Sequence, residues 1–173
     1  MTTLISLSGL PGTGKSTVGR RAAYELDAVY LRIDSIEAPM LRAGFAVNGV
    51  RYEAAQAVAS ENLTLGRIVV ADCVNPWPLT RNAWRVVATR PGAAVIEVEF
   101  ICSDAVEHRR RVEARHQHDP RSPSWQSVLA RDYRPWDRER LVIDTACVDV
   151  ESAAAILVRA VQARSRDTTR TQS

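Results

Sequence analysis

The sequence predicts an α/β fold: a P-loop NTPase-like, three-layer α/β/α sandwich around a five-stranded parallel sheet, with an arginine-bearing lid. Three observations carry this. A short apolar run, Leu4 to Leu7, leads into Gly9-Leu-Pro-Gly-Thr-Gly14-Lys15-Ser16, and a helical pattern follows at once. Four further apolar runs then alternate with helix-length stretches, an order that requires a parallel sheet with helices on both faces. Finally, no repeat or linker divides the 173 residues, a length that suits one domain. Residues 1–165 are assigned to that domain and 166–173 to a polar C-terminal tail.

The elements follow in order. Val18, Ala22 and Leu26 recur at helical spacing from Lys15 to Leu26, giving a face to pack on the sheet. Val29 to Ile33 reads as a second strand ending at Asp34. Pro39, Gly44 and Asn48-Gly49 limit the next stretch to a short helix and a turn. A longer helix runs from Val50 to Leu65, with Ala55, Val58 and Ala59 on one face and Gly66 as its stop. Ile68 to Ala71 is a strand of the kind buried on both sides, ending at Asp72. Asn75-Pro-Trp-Pro breaks the chain before a helix through Arg81, Trp84 and Val87. Ala94 to Ile101 is the fourth strand. Ser103 or Asp104 caps a helix carrying His108 to Arg115. His116 to Ser124 reads as a mobile polar loop, followed by a helix around 124–132. Leu141 to Ile143, ending at Asp144-Thr145, is the fifth strand. Ala154, Leu157, Val158 and Val161 mark the last helix, frayed from about Arg164.

The glycine-rich segment matches G-x4-G-K-[ST] in the strand-turn-helix context the motif needs. Backbone N–H groups of the turn and of the helix start would cradle phosphate oxygens, so Gly9, Pro11, Gly12, Thr13, Gly14, Lys15, Ser16 and Thr17 are the nucleotide-binding candidates. Lys15 reaches the β and γ phosphates, and the Ser16 hydroxyl ligates Mg²⁺. Ligands of such sheets bind beyond the carboxyl ends of the strands, where Asp34, Asp72 and Asp144 should converge with this loop. Asp72 is the second candidate for Mg²⁺. Asp34 can take the proton of an attacking hydroxyl, a role compatible with capping the helix that follows. Arg111 and Arg115 lie four apart on one helix face and can close over the nucleotide and its γ-phosphoryl group.

Composition narrows the class. The net charge of +3 does not point to nucleic acid, and no apolar run is long enough for a membrane span. An N-terminus without secretory features and three widely spaced cysteines, read as buried and reduced, fit a cytoplasmic protein. Lys15 is the only lysine, so the guanine-specifying N-K-x-D element of GTPases cannot form. Cys73 stands where motor-type ATPases place a water-orienting glutamate after Asp72. His108, His116 and His118 lack metal-ligand spacing and read as loop polars.

These segments resemble the small P-loop kinases with a zeta-toxin or polynucleotide-kinase-like core (the AAA_33 group). Within it they are most similar to chloramphenicol phosphotransferase-like enzymes. The resemblance rests on Gly9 to Thr17, Ile33-Asp34-Ser35, Ile68 to Asp72, Arg111-x-x-Ala114-Arg115 and Ile143-Asp144-Thr145. It implies ATP-dependent phosphorylation of a hydroxyl on a small molecule, an antibiotic or other natural product, with Lys15, Asp34, Arg111 and Arg115 catalytic. The acceptor side is assigned to Asp34, Glu37, Tyr52 and Asn75, with Gly44, Phe45 and Trp77 helping to line it. Residues 39–52 do not match the chloramphenicol enzyme. Polynucleotide 5′-kinases carry an arginine where this chain has Glu37, an acid that would repel a phosphate and suit a neutral or amine-bearing acceptor. The Asp-x-Asp pattern of adenylylsulfate and gluconate kinases is absent. Two alternatives stay open: a polynucleotide or nucleoside 5′-kinase, and a non-catalytic ATP-binding regulatory module.

Overall fold

The computed structural model describes residues 2–47 and 49–171. In chain order its elements are β1 (Thr3–Ser8), α1 (Lys15–Glu25), β2 (Val29–Arg32), α2 (Ile33–Arg42), α3 (Val50–Thr64), β3 (Ile68–Asp72), α4 (Pro78–Thr89), β4 (Ala94–Ile101), α5 (Ala105–His118), α6 (Trp125–Leu129), β5 (Leu141–Asp144) and α7 (Val150–Thr171). The five strands form one sheet in the order β2-β3-β1-β4-β5, and every pairing is parallel. β1 is the central strand: Ile5 stands opposite Val70 on one side and Ile96 on the other. All its residues are buried, because helices cover both faces.

Side chains alternate across a strand, so β1 feeds two cores. Ile5 and Leu7 meet α1 and α7 through Val18, Ala22, Leu157 and Val161. Leu4 turns the other way, to Ala55, Ala59 and Leu63 of α3 and Trp84 of α4. The buried face of α3 is therefore Ala55-Ala59-Leu63 at strict i, i+4, i+8 spacing, and Val58 is exposed, contrary to expectation. The strand order reverses between β1 and β4, so the crevice beyond the strand ends opens beside the glycine-rich turn after β1.

Several boundaries move. β2 ends one residue early, and Ile33 opens α2 with its side chain buried. The expected loop at 116–124 begins three residues later, at Asp119. α5 runs through His116 to His118, and the turn after it closes on itself, with His116 Nδ1 2.7 Å from Ser122 O and Ser122 Oγ donating to Asp119 O. α7 continues as helix through the expected tail to Thr171. Of the cysteines only Cys73 is buried; Cys102 is half-buried and Cys147 exposed, and all three are free thiols. Asn48, half of an expected turn, lies outside the described residues. β4 carries a pattern not anticipated: Glu97 and Glu99 are buried beneath Arg138 and Arg140. Among the described residues no helix is long and apolar enough to cross a membrane.

Candidate active site

The turn between β1 and α1 is shaped by close approach. Gly12 has φ +87°, and a Cβ there would lie 2.5 Å from Val112 Cγ2 and 3.1 Å from His108 Cδ2. Gly9, at φ +140°, would drive a Cβ into the Phe100 carbonyl. Thr13 is buried and braces the turn, its Oγ1 donating to Leu10 O at 2.8 Å. No side chain caps α1 and no acid lies in its first turn, so its positive end is left for an external anion. Lys15 is buried under the turn, with Nζ 3.4 Å from Leu10 O. Burial pulls its pKa below the ordinary lysine value, opposed by the charges of Asp72 and then Asp34. Ser16 lines the adjoining cavity, whereas Thr17 is exposed.

That cavity, about 750 Å³, also takes in Asp34, Glu37, Tyr52, Asp72, Trp77 and Arg115. Asp72 ends β3 almost fully buried. Its Oδ2 accepts a 2.6 Å hydrogen bond from Tyr30, while Oδ1 has no hydrogen-bond partner. An orphaned buried carboxylate oxygen costs about 1–3 kcal/mol, which a cation or its bound water would relieve. With the Ser16 hydroxyl this makes an all-oxygen donor set of the kind Mg²⁺ takes, one or two protein oxygens completed by phosphate and water. The residues present therefore fit the ion.

Asp34 sits in the first turn of α2, whose cap position is Arg32, so it does not serve as the helix cap. Its Oδ2 accepts from Arg32 Nη2 at 2.6 Å, and Arg115 Nη2 lies 4.0 Å away. Glu37 is not a bare acid: it pairs with Arg51 at 3.1 Å. Tyr52 forms part of the same wall, with burial pushing its phenol pKa up. Trp77 is held by its indole N–H, which donates to Asp132 at 3.0 Å.

Other expected contributors go elsewhere. Arg115 reaches the cavity, but Arg111 turns to the far side of the glycine-rich turn. There it bonds Glu107 (2.7 Å) and the hydroxyl and carbonyl of Thr145 (2.8 and 3.0 Å). Asn75 is fully buried at φ +46° with its amide donating to Ser6 Oγ and Leu7 O, so it locks β1 to the β3 exit and shows no face to an acceptor. Asp144 does not join the crevice either. It lies on the edge strand and accepts from the Ser103 and Ala146 amides. The Ser103 hydroxyl first, then these amides, hold its pKa down at about 2. Phe45 is exposed, and neither it nor Gly44 lines the cavity.

Sequence reasoning missed the residues that hold these groups in place. Arg32 bridges toward both carboxylates, with Nε 3.7 Å from Asp72. Tyr30 is fixed by Asp72, and burial followed by that charge raises its pKa. His108 is a buried helix residue: Nε2 donates to Pro11 O at 2.8 Å while its ring meets Trp125 edge-on, with centroids 5.2 Å apart. Thr145 Oγ1 lies 3.1 Å from Thr13 O. A signal for His108 was present, since His108, Arg111, Val112 and Arg115 fall on one stripe of α5.

Fold and site together define a P-loop NTPase-like protein. Residues 4–135 match the family model AAA_33, described as an AAA domain, and the chain belongs to that family. No functionally curated protein matches it. Among solved structures it is similar to a candidate kinase from Chloroflexus aurantiacus, at 20% identity and TM-score 0.74, covering 93% of this chain and 96% of that one. It is also similar to the Mycobacterium tuberculosis APS kinase solved with AMPPNP and APS, at 17% identity and TM-score 0.68, covering 92% and 97%. A Sinorhizobium meliloti gluconokinase gives 16% identity and TM-score 0.62, covering 95% and 98%. At these identities the likeness is one of fold.

Proposed function

We propose that this protein is an ATP-dependent phosphotransferase that moves the γ-phosphoryl group of ATP to a hydroxyl of a small molecule. The observation that carries the reading is the shared cavity. Lys15, Ser16 and the orphaned Oδ1 of Asp72 stand at one end, and Asp34 stands on the wall beside them. A hydrolase has no need of a second carboxylate placed for an acceptor, and a binding module has no need of Asp34.

The backbone of Gly9 to Gly14 and the start of α1 bind the triphosphate, which supplies Lys15 with the countercharge its burial calls for. Ser16 and Asp72 would hold Mg²⁺, which when bound neutralises charge on the β and γ phosphates. Asp34, oriented by Arg32, accepts the proton of the acceptor hydroxyl. The new O–P bond forms as the bond between γ-phosphorus and the β–γ bridging oxygen breaks, and ADP departs with that electron pair. Arg115 stabilises charge on the transferring group, and Arg111 with Thr145 fixes the nucleoside side of the turn. The volume of about 750 Å³ lies in the small-molecule range. The domain is proposed as 1–165, in the cytoplasm.

An ATP-coupled assay over a panel of hydroxylated metabolites tests the reading, with Asp34→Asn as control. Acceptor-dependent ADP release that the substitution abolishes supports it. No acceptor-stimulated turnover, or turnover untouched by the substitution, sinks it.

A further inference from the structure

The charge of the cavity is lopsided in a way the rest of the molecule is not. Seven cationic side chains line it, Lys15 and Arg32, Arg42, Arg51, Arg115, Arg121 and Arg131, against four acids, Asp34, Glu37, Asp72 and Asp119. The whole chain has 23 Lys and Arg and 20 Asp and Glu, so outside the cavity sixteen of each cancel. The entire net charge of +3 is accounted for by the walls of this one cavity.

Pairing sharpens the surplus. Asp34 is met by Arg32 at 2.6 Å, Glu37 by Arg51 at 3.1 Å and Asp119 by Arg121 at 3.0 Å. Lys15 and Asp72 belong to the nucleotide end, and Arg115 reaches toward the transferring group. What remains is Arg42, the last residue of α2, and Arg131, just past α6. Neither forms an ion pair among the described residues, and both line the cavity from separate segments. Low-dielectric walls of one sign focus field into a cleft and concentrate ligands of the opposite sign. The expectation that Glu37 would repel an anion fails on the same geometry, since Arg51 neutralises it.

We propose that the acceptor is an anionic hydroxylated small molecule whose carboxylate, sulfate or phosphate is gripped by Arg42 and Arg131 while its hydroxyl is presented to Asp34. Arginine suits all three anions because its planar fork donates two parallel N–H bonds. Leu41, Tyr52, Pro76 and Trp77 line the same cavity and would pack on the body between the two polar ends. The inference rests on the phosphotransferase reading above and narrows its substrate.

The test is a matched panel run with ATP and Mg²⁺: hydroxy acids, sugar acids and sugar phosphates, each beside its methyl ester or uncharged parent. A single-stranded oligonucleotide with a 5′-hydroxyl is added. Anions should be turned over at least tenfold better in kcat/KM than their neutral partners. In Arg42→Gln/Arg131→Gln, KM for the anion should rise tenfold or more with a much smaller change in kcat. Arg42→Lys/Arg131→Lys should recover part of the loss, and a retained thermal shift with AMPPNP shows that each variant folds. Neutral members turned over as well as anions, or a double Gln variant with wild-type KM, overturns the anionic class and leaves phosphoryl transfer standing. Preference for the oligonucleotide over every small anion overturns the small-molecule assignment. Turnover of nothing in the panel removes the phosphotransferase reading itself.

Discussion

Asp34 depends on its neighbours for aim. Its side chain is 60% exposed and would sample several directions without Arg32 at 2.6 Å and Arg115 at 4.0 Å. Asp34→Asn keeps the shape and removes the proposed proton acceptor, so kcat should fall about 10²–10⁴-fold. AMPPNP binding, followed by thermal shift, should persist. Arg32→Gln leaves the acid intact but unaimed; kcat should fall up to about 10²-fold, with KM for ATP nearly constant. Steady-state kinetics on both variants separates the two roles, and equal losses in KM would contradict them. Asp144 offers a different test. Its pKa is held at about 2, below the ordinary carboxylate value of 3.8, first by the Ser103 hydroxyl and then by the Ser103 and Ala146 amides. The native state therefore binds fewer protons than the unfolded one, and the stabilisation is complete above the unfolded value and lost as pH falls through about 2. Asp144→Ala should cost about 1 kcal/mol at neutral pH. Denaturant melts should show the gap from wild type narrowing toward pH 2.

At the scale of elements, the glycine-rich turn is propped from beneath by α5. His108 holds the Pro11 carbonyl, and Val112 leaves room only for a hydrogen at Gly12. Gly12→Ala should keep the fold and weaken nucleotide binding. A non-glycine residue at φ +87° costs about 1–3 kcal/mol, roughly 5–150-fold in affinity. Adding Val112→Ala removes the 2.5 Å contact but not the backbone strain, so calorimetry with AMPPNP should show partial recovery only. Full recovery would mean that backbone conformation matters little here. This junction also marks the limit of what the chain alone made legible. Lys15, Asp34 and Asp72 could be read because each lies in a contiguous motif or at the end of an apolar run. Tyr30 could not, because it meets Asp72 across 42 residues and only through the parallel pairing of β2 with β3. Asn75 misled for a related reason: a polar residue after a strand normally faces the crevice, but its positive φ turns the amide inward. Arg42 and Arg131 belong to no motif, and arginine is too common in this chain for composition to single them out.

Across the whole molecule, the nucleotide end of the site is built on the central strand, so ligand binding should register in global stability. β1 pairs with β3 and β4 and anchors both cores, and the turn that would hold phosphate leaves directly from Ser8. A ligand at 100 times its Kd adds about 2.7 kcal/mol to a two-state unfolding free energy. For a chain of this length each kcal/mol moves Tm by about 2–4 °C, so saturating AMPPNP with Mg²⁺ should raise Tm by roughly 5–11 °C. If the orphaned Oδ1 of Asp72 serves the proposed metal, part of that rise should depend on the ion. Chelation with EDTA should shrink the shift clearly. In Asp72→Asn, shifts measured with and without Mg²⁺ should converge, because the amide keeps the shape while losing the charge that favours a hard cation. Calorimetric melts of wild type and variant, each with nucleotide and with either Mg²⁺ or EDTA, decide the matter. A wild-type shift indifferent to EDTA would remove Asp72 from the metal and leave its unpartnered oxygen to be explained by packing alone.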